Sequence, residues 1–65
     1  MPKYPEIKVQ LTGYDGNGFF IIGRMRQALR ENGVSDQEIE AFTTEAMSSD
    51  YSHLLNTAVE WVQVS

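Results

Sequence analysis

Sixty-five residues make one domain, and a chain this short buries only about 60% of the surface its unfolded form exposes, which leaves a thin stability margin. Cysteine is absent and His53 is the lone histidine, which excludes disulfides and thiolate metal sites and leaves little for a metal to bind, so no cofactor is expected and oligomerisation is the expected support. The net charge of −4 is split: residues 1–30 hold all five cations (Lys3, Lys8, Arg24, Arg26, Arg30) against Glu6 and Asp15, a net +3, and residues 31–65 hold seven carboxylates and no Lys or Arg, a net −7.

Such a split marks either an acidic-partner or nucleic-acid face or an ordinary dipolar domain, and overall negative charge opposes phosphate binding. The opening Met-Pro-Lys-Tyr-Pro-Glu is not followed by the apolar run of a signal peptide. The longest apolar run, residues 19–22, is far short of the ~20 residues of a membrane span. A cytoplasmic protein without a membrane partner is the expectation.

In chain order, residues 1–5 hold two prolines and read as an extended arm. Residues 6–12 alternate, with Ile7, Val9 and Leu11 on one face and Lys8, Gln10 and Thr12 on the other, the period of a half-buried strand. Residues 13–18 hold three glycines, an Asp and an Asn, and read as a turn. This turn lies where helix-terminal amides bind anions, but it lacks the Lys-Ser/Thr of a P-loop and completes no GxGxxG pattern. A calcium loop starting at Asp15 fails as well, because its twelfth position is Arg26 instead of a bidentate Glu.

A first helix is predicted from an Asn17 cap to about Asn32, burying Ile21, Ile22, Met25, Ala28 and Leu29 and ending at Gly33. The second begins with Ser35-Asp36-Gln37-Glu38, a capping box, with Val34 and Ile39 placed as a hydrophobic staple. Its expected buried stripe is Ile39, Phe42, Ala46 and Met47. Ser48-Ser49-Asp50 breaks it and caps a third helix, whose apolar side is Tyr51, Leu54, Leu55, Ala58, Trp61 and Val62, with His53, Asn56, Thr57 and Glu60 facing water.

The expected fold class is α+β, mainly helical: one N-terminal strand followed by three short helices, with residues 62–64 able to add a short C-terminal strand. A lone strand leaves both edges open. Its partner is either residues 62–64 or the same strand of a second copy.

No catalytic constellation emerges. His53 has Asp50 three residues before it and Glu60 seven after, but no Cys and no Ser in a nucleophile elbow accompanies it. It reads as a solvated histidine, and the chain as a non-enzyme. The first helix offers the main functional feature. Phe20 points away from the apolar stripe toward Arg24 and Gln27, and Phe19 sits at the stripe's edge near Gly23 and Arg26. A mid-helix glycine costs about 1 kcal/mol against alanine, which a close backbone approach explains. Phe19, Phe20, Gly23, Arg24 and Gln27 are therefore the candidate interface for a second copy (a homodimer) or another protein; the alternative is that the N-terminal Tyr4-Pro5 segment covers this helix.

Two resemblances bear on this. Val9-Gln10-Leu11-Thr12-Gly13, Asp15-Gly16-Asn17, Gly23-Arg24, Ala28-Leu29-Arg30, Gly33-Val34, Asp50-Tyr51, His53-Leu54-Leu55 and Trp61-Val62 resemble a group of short bacterial and phage-type hypothetical proteins. That likeness implies a lineage and carries no activity or functional residue. More faintly, the alternating strand, the helix, Asn32-Gly33-Val34-Ser35 and the Glu38-Ile39 helix are similar to ribbon-helix-helix DNA-binding proteins. That likeness implies strands paired across a dimer in the major groove, with Lys8, Gln10 and Thr12 reading bases. The long glycine turn, the third helix and the acidity depart from that family.

Overall fold

A computed structural model of the chain describes residues 1–11 and 18–65. Strand β1 (Tyr4–Val9) is followed by helices α1 (Gly18–Glu31), α2 (Asp36–Ala46) and α3 (Tyr51–Trp61) and by strand β2 (Val62–Val64), a mainly helical α+β architecture. β1 alternates as its sequence demands: Ile7, Val9 and the following Leu11 are buried, and Glu6, Lys8 and Gln10 are exposed.

β1 pairs with β2, and the pairing is parallel, with Lys8 opposite Gln63 and Val9 opposite Val64. Beyond the strand ends the ladder continues: Ser65 N donates to Val9 O and Leu11 N donates to Ser65 O, each at 3.0 Å. Parallel strands cannot be joined by a hairpin. All three helices therefore serve as the crossover between them.

The helix ends follow from local chemistry. Gly33, with φ 82°, closes α1: Gly33 N donates to Arg30 O at 3.1 Å and Val34 N to Leu29 O at 3.0 Å, a Schellman pair. Ser35 caps α2, its hydroxyl accepting from Glu38 N at 3.3 Å. Asp50 caps α3, its carboxylate accepting from His53 N at 2.9 Å. Phe42 and Leu29 from two helices, Met25 beneath them and Val9 and Val62 from the sheet are at most 1% exposed and centre the core. The α1 stripe Ile21, Ile22, Met25, Ala28 and Leu29 is buried throughout.

Four details depart from the sequence expectations. The strand begins at Tyr4, inside the stretch read as an arm, because Lys3 N donates to Glu60 O at 2.8 Å and Tyr4 stacks on Trp61 with ring centroids 5.9 Å apart. Met47 is 51% exposed: it is the C-cap of α2, its backbone has left the helix, and its side chain leaves the stripe with it. Tyr51, in the first turn of α3, is exposed as well. Thr57 is buried, since it lies three residues from Leu54 and next to Ala58, and its hydroxyl is satisfied by donating to His53 O at 2.8 Å. The Asn17 cap, Thr12 and the glycine turn up to residue 17 lie outside the described residues.

The N-terminus is held by a cluster on Glu38. Lys3 pairs with the Glu38 carboxylate, and Tyr4 donates its hydroxyl to the same group at 3.1 Å. Lys3 Nζ also sits 4.4 Å above the Trp61 ring, and Trp61 meets Phe42 edge-on at 5.4 Å. The hydrogen bond from Lys3, and then that from Tyr4, holds the Glu38 carboxyl below the ordinary range. This carboxylate was expected to reach back to its own helix cap; it bridges to the strand instead.

Truncating Phe42 to Ala empties the centre of the core and is expected to cost about 3–5 kcal/mol, read as a lowered urea midpoint. A group with a depressed pKa stabilises the fold above its ordinary pKa and loses that contribution as the pH falls through the folded value. Glu38→Gln is therefore expected to lower Tm near pH 7 and to converge with the parent in acid; a gap that persists unchanged in acid removes the Glu38 carboxylate as the cause.

Candidate interaction surface

Among the described residues, an exposed cluster with hydrolytic residue types lies at the joint of α2 and α3. His53 Nε2 is 2.9 Å from Glu45 Oε2, 3.0 Å from Glu45 O and 3.2 Å from Ser48 Oγ. Ser48 Oγ donates to Glu45 O at 2.7 Å. A triad needs the acid on one ring nitrogen and the nucleophile on the other. Here all three contacts converge on Nε2, so the ring donates toward Glu45 and cannot take the Ser48 proton. The arrangement closes the helix joint and lacks the two-sided geometry of a triad.

The partner of His53 is Glu45, eight residues back across the helix break, and neither of the carboxylates the sequence suggested. Asp50 spends its carboxylate on the α3 cap. The hydrogen bond to Glu45 raises the His53 pKa above the usual histidine value, against a smaller opposing desolvation.

The candidate interface residues gather elsewhere. Phe19, Phe20, Gly23, Arg24 and Gln27 together line one open depression of about 270 Å³ on the outer face of α1. They meet because they repeat at three- and four-residue intervals on the side of the helix opposite its buried stripe. Phe19 is 78% and Phe20 51% exposed. Arg26, by contrast, leaves this face: its Nη1 pairs with Glu40 at 2.8 Å and donates to Thr43 Oγ1 at 2.8 Å, tying α1 to α2. Among the described residues Arg24 and Arg30 have no ion pair, whereas Lys3 and Arg26 do.

Gly23 is the floor of this depression. A Cβ built there meets nothing within 4 Å. Among the described residues, no element approaches closely enough to require a glycine. The Tyr4-Pro5 segment does not cover α1 either, since Tyr4 lies against Trp61 and Glu38.

Phe19 also borders a second open groove of about 260 Å³, lined by Gly18, Ile22, Met47, Asp50, Tyr51 and Leu54 among others. Met47 and Tyr51 thus extend the apolar surface around the end of α1. Sequence reasoning assigned both to the core because helical spacing alone does not register where a helix terminates.

Lys8 on β1 and Gln10 just beyond its end are exposed as the base-reading alternative requires, and Thr12 lies outside the described residues. That alternative also needs an antiparallel strand pair between copies. In the single chain, Val9 and Leu11 direct their backbone groups to the parallel segment 62–65, and the sheet has two strands among the described residues.

No group of His, Asp and Glu among the described residues is arranged to hold a metal ion. No described helix is long and apolar enough to cross a membrane. Compared with known protein families, with curated proteins and with solved structures, the chain matches none, so the resemblances carry no residue role into the surface.

Because the folded His53 pKa is raised, its stabilising contribution is full below the ordinary histidine pKa and disappears as the pH rises through the folded value. His53→Gln is expected to lower Tm at pH 5.5 and to leave it near the parent at pH 8.5. Equal losses at both pH values would assign the effect to packing and not to the Glu45 pair.

Proposed function

We propose that this chain is a small non-catalytic interaction module, docking a second copy of itself as a homodimer or another protein as an adaptor through the outer face of α1. The observation that carries the reading is Gly23. In the middle of a 14-residue helix, a glycine costs about 1 kcal/mol relative to alanine. In this position packing among the described residues does not explain the cost, since none of them lies within 4 Å of a Cβ placed there. A residue that weakens its own helix without serving the fold is accounted for by a partner backbone brought close.

The flanking residues fit the same use. Phe19 and Phe20 place apolar area at the rim of the depression, and Arg24 and Gln27 place polar ends beside it. Aromatic and Arg side chains around a small central hollow have the composition of protein interfaces.

Gly23→Ala in the isolated chain tests the observation. The expected outcome is a gain in stability approaching about 1 kcal/mol with an unchanged spectrum. A loss of stability would give Gly23 a role in the fold and remove the basis of the reading. Light scattering over a wide concentration range then separates a second copy from a different partner.

A further inference from the structure

The charges around Gly23 bear on which partner this face takes, and the inference rests on the docking reading above. The exposed face of α1 reads, at helical spacing, Phe20, Gly23, Gln27 and Arg30, with Arg24 at its edge. Arg24 and Arg30 are its unpaired cations among the described residues. Its one carboxylate, Glu31, accepts from Gln27 at 3.3 Å and lies about two helical turns from Gly23.

A second copy fits these charges poorly. A symmetric antiparallel crossing of two α1 helices at Gly23 sets the two Arg24 side chains next to each other on one side of the two-fold, with no carboxylate near to relieve them. Like charges so placed oppose association. Nucleic acid fits poorly for another reason, the net charge of −4 over the whole chain. A nucleic acid strand extends past the two arginines onto the acidic remainder of the chain, whereas a short acidic segment stays on the α1 face, where charges beyond about 8 Å are screened at physiological salt.

We propose that the outer face of α1 receives an acidic amphipathic helix of another protein. A large apolar residue of that helix sits over Gly23, between Phe19 and Phe20 on one side and Gln27 on the other, and carboxylates flanking it pair with Arg24 and Arg30. A helix laid in a groove anchors through residues three, four and seven apart, and the missing side chain at Gly23 lets the two backbones close to the short end of the usual interaxial range of 8–10 Å.

The test uses the full chain, isotopically labelled, titrated with three probes and observed by amide chemical shifts. The first probe is a 14-residue helical peptide with a leucine stripe flanked by glutamates. The second is the same peptide with each glutamate replaced by lysine. The third is a single-stranded oligonucleotide. The expected result is saturable shifts at residues 19, 20, 23, 24, 27 and 30 with the glutamate peptide, weakened by added salt. Binding is expected to fall about five- to tenfold in the Arg24→Gln, Arg30→Gln double variant, two exposed ion pairs' worth, and to be lost in Gly23→Leu. Both variants alter open surface; a Tm unchanged in the double arginine variant and not lowered in Gly23→Leu confirms that they fold.

Equal or tighter binding of the lysine peptide at the same residues overturns the acidic partner and leaves the docking face standing. Shifts of this face on protein concentration alone assign it to a second copy and also overturn the proposal. Shifts confined to the oligonucleotide overturn both the proposal and the docking reading, as does a face that no probe and no self-association perturbs.

Discussion

Parallel pairing of β1 with the last residues of the chain is the constraint from which the rest of the architecture follows. Parallel strands need a long crossover, and here that crossover is the entire helical part of the molecule. Because β1 buries Ile7 and Val9, the residues after it bury Leu11, and β2 buries Val62, the strand pair forms one wall of the core and α1 packs against it. The two ends of the chain are thereby joined: Lys3 bonds to Glu60 at one end of the ladder and Leu11 to Ser65 at the other. A two-stranded sheet is marginal alone; the helices that connect it are also what cover it.

The second support is Trp61, placed where α3 passes into β2. It meets Phe42 from the core side, Tyr4 from the strand side and Lys3 from the solvent side. Lys3 and Tyr4 converge on Glu38, so the first turn of α2 and the beginning of β1 are fastened to the same point. A chain without cysteine, with a thin stability margin, has in this cluster a polar and aromatic substitute for a covalent tie. Arg26 with Glu40 and Thr43, and His53 with Glu45, repeat the arrangement at the α1–α2 and α2–α3 contacts. In the Lys3–Glu38 and Arg26–Glu40 links the cation comes from the basic first half and the carboxylate from the acidic second half, which gives part of the charge split a structural use.

What these links leave over is the face proposed for docking. Arg26 is consumed by α2, and Arg24 and Arg30 are not. The core face of α1 is filled, and the outer face holds a glycine above which no described residue lies within 4 Å of a Cβ placed there. A sequence reader sees Gly23, Phe20 and Arg24 as anomalies of a helical pattern; their spacing already puts them on one side of α1. The depression they form, and its continuation past Phe19 to Met47 and Tyr51, depends on how α2 and α3 meet the end of α1.

The sequence by itself determined β1, the three helices and most of the buried set, because these follow from local periodicity: two residues for β1, 3.6 for the helices, with Ser35, Asp50 and Gly33 marking ends through hydrogen bonds made within a few residues. It left residues 62–64 only able to add a strand. It also determined that Phe19, Phe20, Gly23, Arg24 and Gln27 share a face, since a helix alone fixes that. Only the tertiary structure decided that β1 pairs with β2 in parallel, that Glu38 serves Lys3 and Tyr4, that His53 meets Glu45, and that Thr57 is buried while Met47 is exposed. Each of these depends on distances between segments far apart in the chain or on the point at which a helix stops, and neither is encoded in the spacing of residues along one element.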